Sequence, residues 1–188
     1  MTPQTALPPA TWQIDPAHTH AGFAVKHLMI STVRGQFTDI QGTVSIPEGN
    51  LPDAKIDVRI NVASIDTRVP DRDTHLRSAD FFDVEHFPFM TFTSTRIVPA
   101  KSGTYKATGL LTILGNAREV TLTVEPNGQV RDPWGNDRAG FSASGTINRK
   151  EFGLMWNMVL EAGGVAVGDE VKIAIEAELT RPAVAVAA

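Results

Sequence analysis

Apolar and polar residues alternate one by one along most of this chain, and a period of two can be satisfied only by strands. The clearest case is AKIDVRINV, where Ile56, Val58, Ile60 and Val62 point one way and Asp57, Arg59 and Asn61 the other. The pattern recurs at Ile40, Gly42, Val44 and Ile46, and at Met90, Phe92 and Ser94. It returns in Tyr105, Ala107, Gly109, Leu111 and Ile113, and in Val120, Leu122 and Val124. Ala139, Phe141, Ala143, Gly145 and Ile147 carry it further, and Val171, Ile173, Ile175, Ala177 and Leu179 close it. Turn chemistry separates the runs: Asp15-Pro16, Pro47-Glu48-Gly49-Asn50, Gly115-Asn116, Pro126-Asn127-Gly128 and the DPWGND loop. Strands spaced like this imply an all-β fold, an antiparallel barrel or sandwich.

Two stretches break the alternation. Over residues 71–84, Leu76, Ala79 and Phe82 fall at near-helical spacing, with Asp71 and Asp73 placed to favour a helix N-terminus. This predicts a short helix that delivers Leu76, Phe81 and Phe82 to one mouth of a barrel. RKEFGLMWN, ending at Asn157, predicts a small second helical insert over 150–158, closing the other mouth. Small inner residues (Gly42, Ala107, Gly109, Ala143, Gly145 and Ala177) leave room along the axis. A barrel of about eight strands either holds one small ligand or packs solid, and the residues alone leave both open.

At 188 residues the chain reads as one domain over 11–182, with loose tails at 1–10 and 183–188. The net charge of −4, with acids and bases scattered, argues against a nucleic-acid partner. No apolar run approaches bilayer-spanning length. The stretch MTPQTALPPA has neither a basic start nor an apolar core, so a cytoplasmic location is expected, or a periplasmic one if a signal was removed.

The unusual stretch is HTHAGFAVKHLMISTVRGQF, an apolar strand with three histidines, a lysine and an arginine clustered about it, which suggests the wall and rim of a pocket. His18 and His20 have the H-x-H spacing at which alternate strand residues share a metal, with Asp15, Asp66, His27 or His75 to complete the shell. No third ligand follows at a metal-site spacing, and there is no nucleophile elbow, phosphate-cradling loop or cysteine. The expectation is a protein that is not an enzyme, with no metal and no required cofactor. A metal-dependent enzyme using the histidine pair, or a solid-core stress-related interaction module, is the alternative.

Taken in order, DPAHTHAGFAVKHLMISTVRGQF, SIDT, RDTHLRSADFFDVEHFPFMTFTST, GLLTILG, INRKEFGLMWN and VGDEVKI resemble the YceI-like family of lipid-binding proteins, also called polyisoprenoid-binding, from about Trp12 to Thr180. The resemblance implies a lipocalin-like antiparallel barrel whose tunnel holds an isoprenoid or similar amphiphile. It also suggests a homodimer, for which the wet Asp57/Arg59/Asn61 face is suited. The expected ligand is a polyisoprenoid, of the polyprenyl phosphate or isoprenoid quinone class, to be bound, stored or transported. Lumen candidates are Phe23, Val25, Val58, Ile60, Leu76, Phe82, Met90, Phe92, Leu111, Ile113, Phe141, Phe152, Trp156, Ile173 and Ile175. His18, His20, His27, Arg34 and Asn157 are candidates for the head group, by charge-assisted hydrogen bonds.

Overall fold

The structure is a computed structural model that describes residues 10–47, 49–159 and 164–181. Both tails, Glu48 and residues 160–163 lie outside the described residues. The strands are β1 (Ala10–Ile14), β2 (His20–His27), β3 (Ser31–Phe37), β4 (Ile40–Ile46), β5 (Lys55–Asn61) and the short β6 (Ile65–Asp66). After helix α1 (Pro70–Arg77) come β7 (Phe89–Pro99), β8 (Tyr105–Ile113), β9 (Asn116–Arg131), β10 (Asp137–Asn148) and β11 (Val167–Arg181).

All the strand pairings are antiparallel, and the ring β1-β4-β5-β7-β8-β9-β10-β11 closes on itself. Closure depends on β1, which meets β4 at Trp12–Val44 and β11 at Gln13–Thr180. The N-terminal half of β11 instead pairs with β2, Ile173 opposite Phe23, and β3 and β6 extend that branch. Closing the ring removes free edges from most of its strands, which is the stable solution for a chain built from alternating strands. The alternation then decides everything local: one set of side chains enters the barrel, the other meets water.

Buried apolar residues form two clusters, at opposite ends of the same strands. Trp12, Val44, Ile46, Ile97, Ala107 and Leu179 pack at the first end. Phe37, Val62, Ile65, Phe81, Met90, Ile113, Phe152 and Leu154 pack at the second. Helix α1 belongs to the second end. Pro70 starts it, and Asp73 Oδ1 accepts from the Thr67 N–H (2.9 Å) and hydroxyl (2.6 Å). Arg72 donates to the same threonine, so the helix is tied to the strand before it.

The helix is shorter than the spacing predicts. It stops at Arg77 because Ser78 is extended, and residues 78–84 are turns held by Phe82 N–H to Leu76 O (3.0 Å) and Phe81 N–H to Ser78 O (3.1 Å). These turns, rather than a continuing helix, bring Phe81 and Phe82 inward. The second insert is a single 3-10 turn, Arg149–Phe152, ended by Gly153 in the left-handed region (φ 87°). Pro126-Asn127-Gly128 is not a turn: β9 runs through it, with Asn127 as the extra residue of a bulge opposite Gly140 and Phe141. Pro126 lies just beyond the last β8 pair, Tyr105–Val124, where a missing N–H is tolerated. The chain reverses in the expected DPWGND loop, where the Asp132 side chain accepts from the N–H groups of Trp134 and Asn136.

Candidate functional site

Between the two clusters lies a cavity of about 310 Å³. Its wall takes inward residues from strands around the ring, among them Val25, Val58, Phe92, Ala143, Ile173 and Ile175. Phe23, Val25, Val58, Ile60, Phe92, Leu111, Phe141, Ile173 and Ile175 point inward yet are only half-buried, because they face empty space rather than another side chain. That distinguishes a hollow barrel from a solid one, in which inward residues lose all accessible surface. Apolar voids of this kind remain dry and accept apolar guests.

Leu76, Phe82, Met90 and Ile113 also line the cavity, at the second end. Phe152 and Trp156 do not border it. Phe152 is fully buried behind the wall. Trp156 stacks edge-on against His75 (4.8 Å between centroids) and lies 5.2 Å from Phe81, so it forms part of the cap over the helix end.

The glycines expected to leave room do not. A side chain at Gly109 would meet the Phe92 ring at 2.6 Å and the Thr93 carbonyl at 2.5 Å. At Gly145 the space is filled by Leu122, and at Gly42 by the Asp57 carbonyl and Ile14. Each glycine admits a larger neighbour, which a strand pattern cannot reveal. The room comes from the alanines: Ala107, Ala143 and Ala177 line the cavity.

The histidines, the lysine and the arginine of the His18–Arg34 stretch lie outside this lining. His18 is exposed on the turn after β1, its Nδ1 3.0 Å from Asp15 Oδ2. His20 is exposed beside Glu176, His27 ends β2 half-buried, and Arg34 is exposed with no ion pair among the described residues. Asn157 spends its amide on Val167, donating to its carbonyl (2.7 Å) and accepting from its N–H (3.0 Å). His18, Asp15 and Glu178 approach one another closely enough to suggest a metal site among the described residues. Yet Arg138 donates to both carboxylates, filling the position a cation would take with a charge that repels one.

Arg138 organises the first end. It joins Asp15, Asp132 (2.9 Å) and Glu178 (2.7 Å), while Arg181 binds Asp137 (2.8 Å) and stacks over the Trp12 ring. Partial burial works against the Asp132 charge, but N–H donors from Asn136 and Trp134 and the Arg138 guanidinium hold its pKa down at about 2. Asp15 and Asp137 are lowered too: burial opposes the charge, and hydrogen bonds from His18 and Arg138, or from Arg131 and Arg181, outweigh it.

Sequence reasoning missed the polar members of the lining. Among its described residues, side chains bearing nitrogen or oxygen are Thr19, Tyr105 and Arg149. Arg149 is 3% exposed and donates to the carbonyls of Gly168 (2.9 Å), Leu154 and Trp156 (2.9 Å), stapling the insert to the start of β11. Burial pushes its pKa down, and Asp169 partly offsets this. Nothing in INRKEFG separates a buried arginine from an exposed one, because its acceptors are backbone carbonyls rather than acidic side chains.

The YceI-like domain profile matches residues 12–179 of the chain. Protein YceI of Salmonella newport is 40% identical over 169 residues, 89% of this chain and 86% of that one. A UPF0312 protein of Pectobacterium atrosepticum is 42% identical over 160 residues, 85% of this chain and 80% of its own. The crystal structure of Burkholderia cenocepacia BcnA superposes with a TM-score of 0.76 at 25% identity, over 88% of this chain and 98% of that one. The Campylobacter jejuni YCEI protein gives 0.69 at 32% identity, over 83% and 89%. A polyisoprenoid binding domain from Saccharophagus degradans has the same fold, with a TM-score of 0.63 at 13% identity, over 95% of this chain and all of that one.

Proposed function

This chain belongs to the YceI-like family, and on that premise we propose that it binds a polyisoprenoid-type amphiphilic lipid in its barrel. The observation that carries the reading is the hollow apolar interior, about 310 Å³ of space walled almost entirely by hydrocarbon. An isoprene chain forms no hydrogen bonds, so its affinity must come from apolar area removed from water. At about 25 cal/mol per Å², burying about 300 Å² of guest contributes about 7 kcal/mol before ordering costs. Such binding is insensitive to salt and slow to release, because the tail dominates it.

The scarcity of polar lining favours a carrier or store over a catalyst, and a weakly polar head group such as a quinone over a polyprenyl phosphate. A phosphate inside this wall would need charge-assisted donors, and Arg149 already gives its N–H groups to carbonyls. Pairing of two barrels along the wet face of β5 belongs to the same reading. Native mass spectrometry of protein isolated from its own host tests the function. A co-purifying prenyl lipid at one per chain is expected. Protein that carries no amphiphile and takes none up from a prenyl alcohol solution would sink the proposal.

A further inference from the structure

Exposed apolar side chains are distributed unevenly over the barrel. Met29 and Ile30 form the tip of the β2–β3 turn, with Ile30 84% exposed. Met155, Met158 and Val159 project from the segment after the 3-10 turn, with Val159 81% exposed. The two segments are adjacent: the Leu28 N–H donates to Ala166 O (2.9 Å), and the Ala166 N–H to Met158 O (2.9 Å). Phe89, also exposed, starts β7 at this same second end. The first end is braced by the Arg138 and Arg181 ion pairs, and its exposed apolar residues include Val130 and Trp134 on the β9–β10 hairpin.

The apolar rim lies at the end of the barrel where Leu154, Val25 and Met90 line the cavity, with Met155, the β2–β3 tip and Phe89 within a few residues of them along the chain. We infer that the second end docks on a lipid bilayer, the two tips entering its acyl region, so that the guest passes between bilayer and cavity without crossing water. The occupant follows from the shape and chemistry of the rim. Separate projecting tips of methionine and aliphatic residues fit a deformable hydrocarbon liquid, whereas a protein partner would need a continuous complementary face. A bilayer is also where an isoprenoid guest resides, so the inference rests on the lipid-binding reading above.

The test uses the whole chain and two deliveries of one prenyl alcohol, from phosphatidylcholine vesicles and from cyclodextrin. Wild type is expected to sediment with the vesicles in low and high salt and to load from both sources. Met29→Glu/Ile30→Glu, and separately Met155→Glu/Met158→Glu, should lose vesicle binding and vesicle loading by about tenfold or more, yet load normally from cyclodextrin. Val130→Glu/Trp134→Glu, on exposed residues of the β9–β10 hairpin, should match wild type throughout. Vesicle loading unchanged in both rim variants, no sedimentation of wild type, or sedimentation abolished by salt would overturn the docking. So would light scattering showing that the rim joins two copies. Failure of wild type to load from cyclodextrin would instead overturn the lipid-binding reading.

Discussion

Ala143→Phe tests the hollow barrel most directly. Ala143 lies midway along β10, between Val124 and Ile175 on the neighbouring strands, and borders the cavity. A phenyl ring there projects into open space rather than into a packed neighbour. Displacing about 150 Å² of guest contact, the lower range for an aromatic side chain, removes about 4 kcal/mol at about 25 cal/mol per Å². That corresponds to a loss of affinity of about a thousandfold. The ring also buries its own surface in an existing void, so stability should hold, with a Tm no more than about 2 °C below wild type. The assay is titration of a fluorescent prenyl analogue alongside thermal unfolding followed by circular dichroism. Affinity within about threefold of wild type in a normally folded variant would show that the guest does not occupy this space.

Gly109→Leu should behave in the opposite way: with the Phe92 ring and the Thr93 carbonyl already in place, it overpacks the wall and lowers urea stability by about 3 kcal/mol or more. Arg149→Lys keeps the charge but cannot serve carbonyls on Leu154, Trp156 and Gly168 at once, so a loss of about 2–3 kcal/mol in urea unfolding is expected; an unchanged midpoint would refute the staple. The first-end carboxylates give a pH dependence of definite sign. Asp15, Asp132 and Asp137 have folded pKa values below their unfolded ones, so their stabilisation is full above about pH 4. It is lost as pH falls toward about 2, the Asp132 value. Arg138→Gln should flatten that acid limb in unfolding curves measured between those limits, and an identical limb would refute the role given to Arg138.

The strands were legible because their cause is local. A period of two appears in the order of residues, and the faces it assigns to Val58, Phe92, Leu111 and Ile173 are the faces they occupy around the cavity. The loop at Asp132 stood where its turn residues placed it, but the strand through Pro126 was misread: proline and glycine mark a place where the chain can turn, while the neighbouring strand decides whether it does. The helix was visible in the break of alternation and in the acids Asp71 and Asp73 near its start, but Ala79 and Phe82 fall beyond its end at Ser78, which depends on turns that close against Leu76 and Arg77.

Whether the barrel is hollow was decided only in three dimensions. Gly109 and Ala143 look alike in a strand pattern, yet a phenylalanine from the next strand fills the space beside one and open volume remains beside the other. The fate of the charges was likewise tertiary, because Arg149 reaches the Gly168 carbonyl across the chain and His18 lies beside Glu178 outside the wall. Sequence determines which side of a strand meets water, since adjacent side chains diverge on either side of the backbone. What the inner side encloses depends on which strands become neighbours and in what register, and only the closed ring of strands settles that.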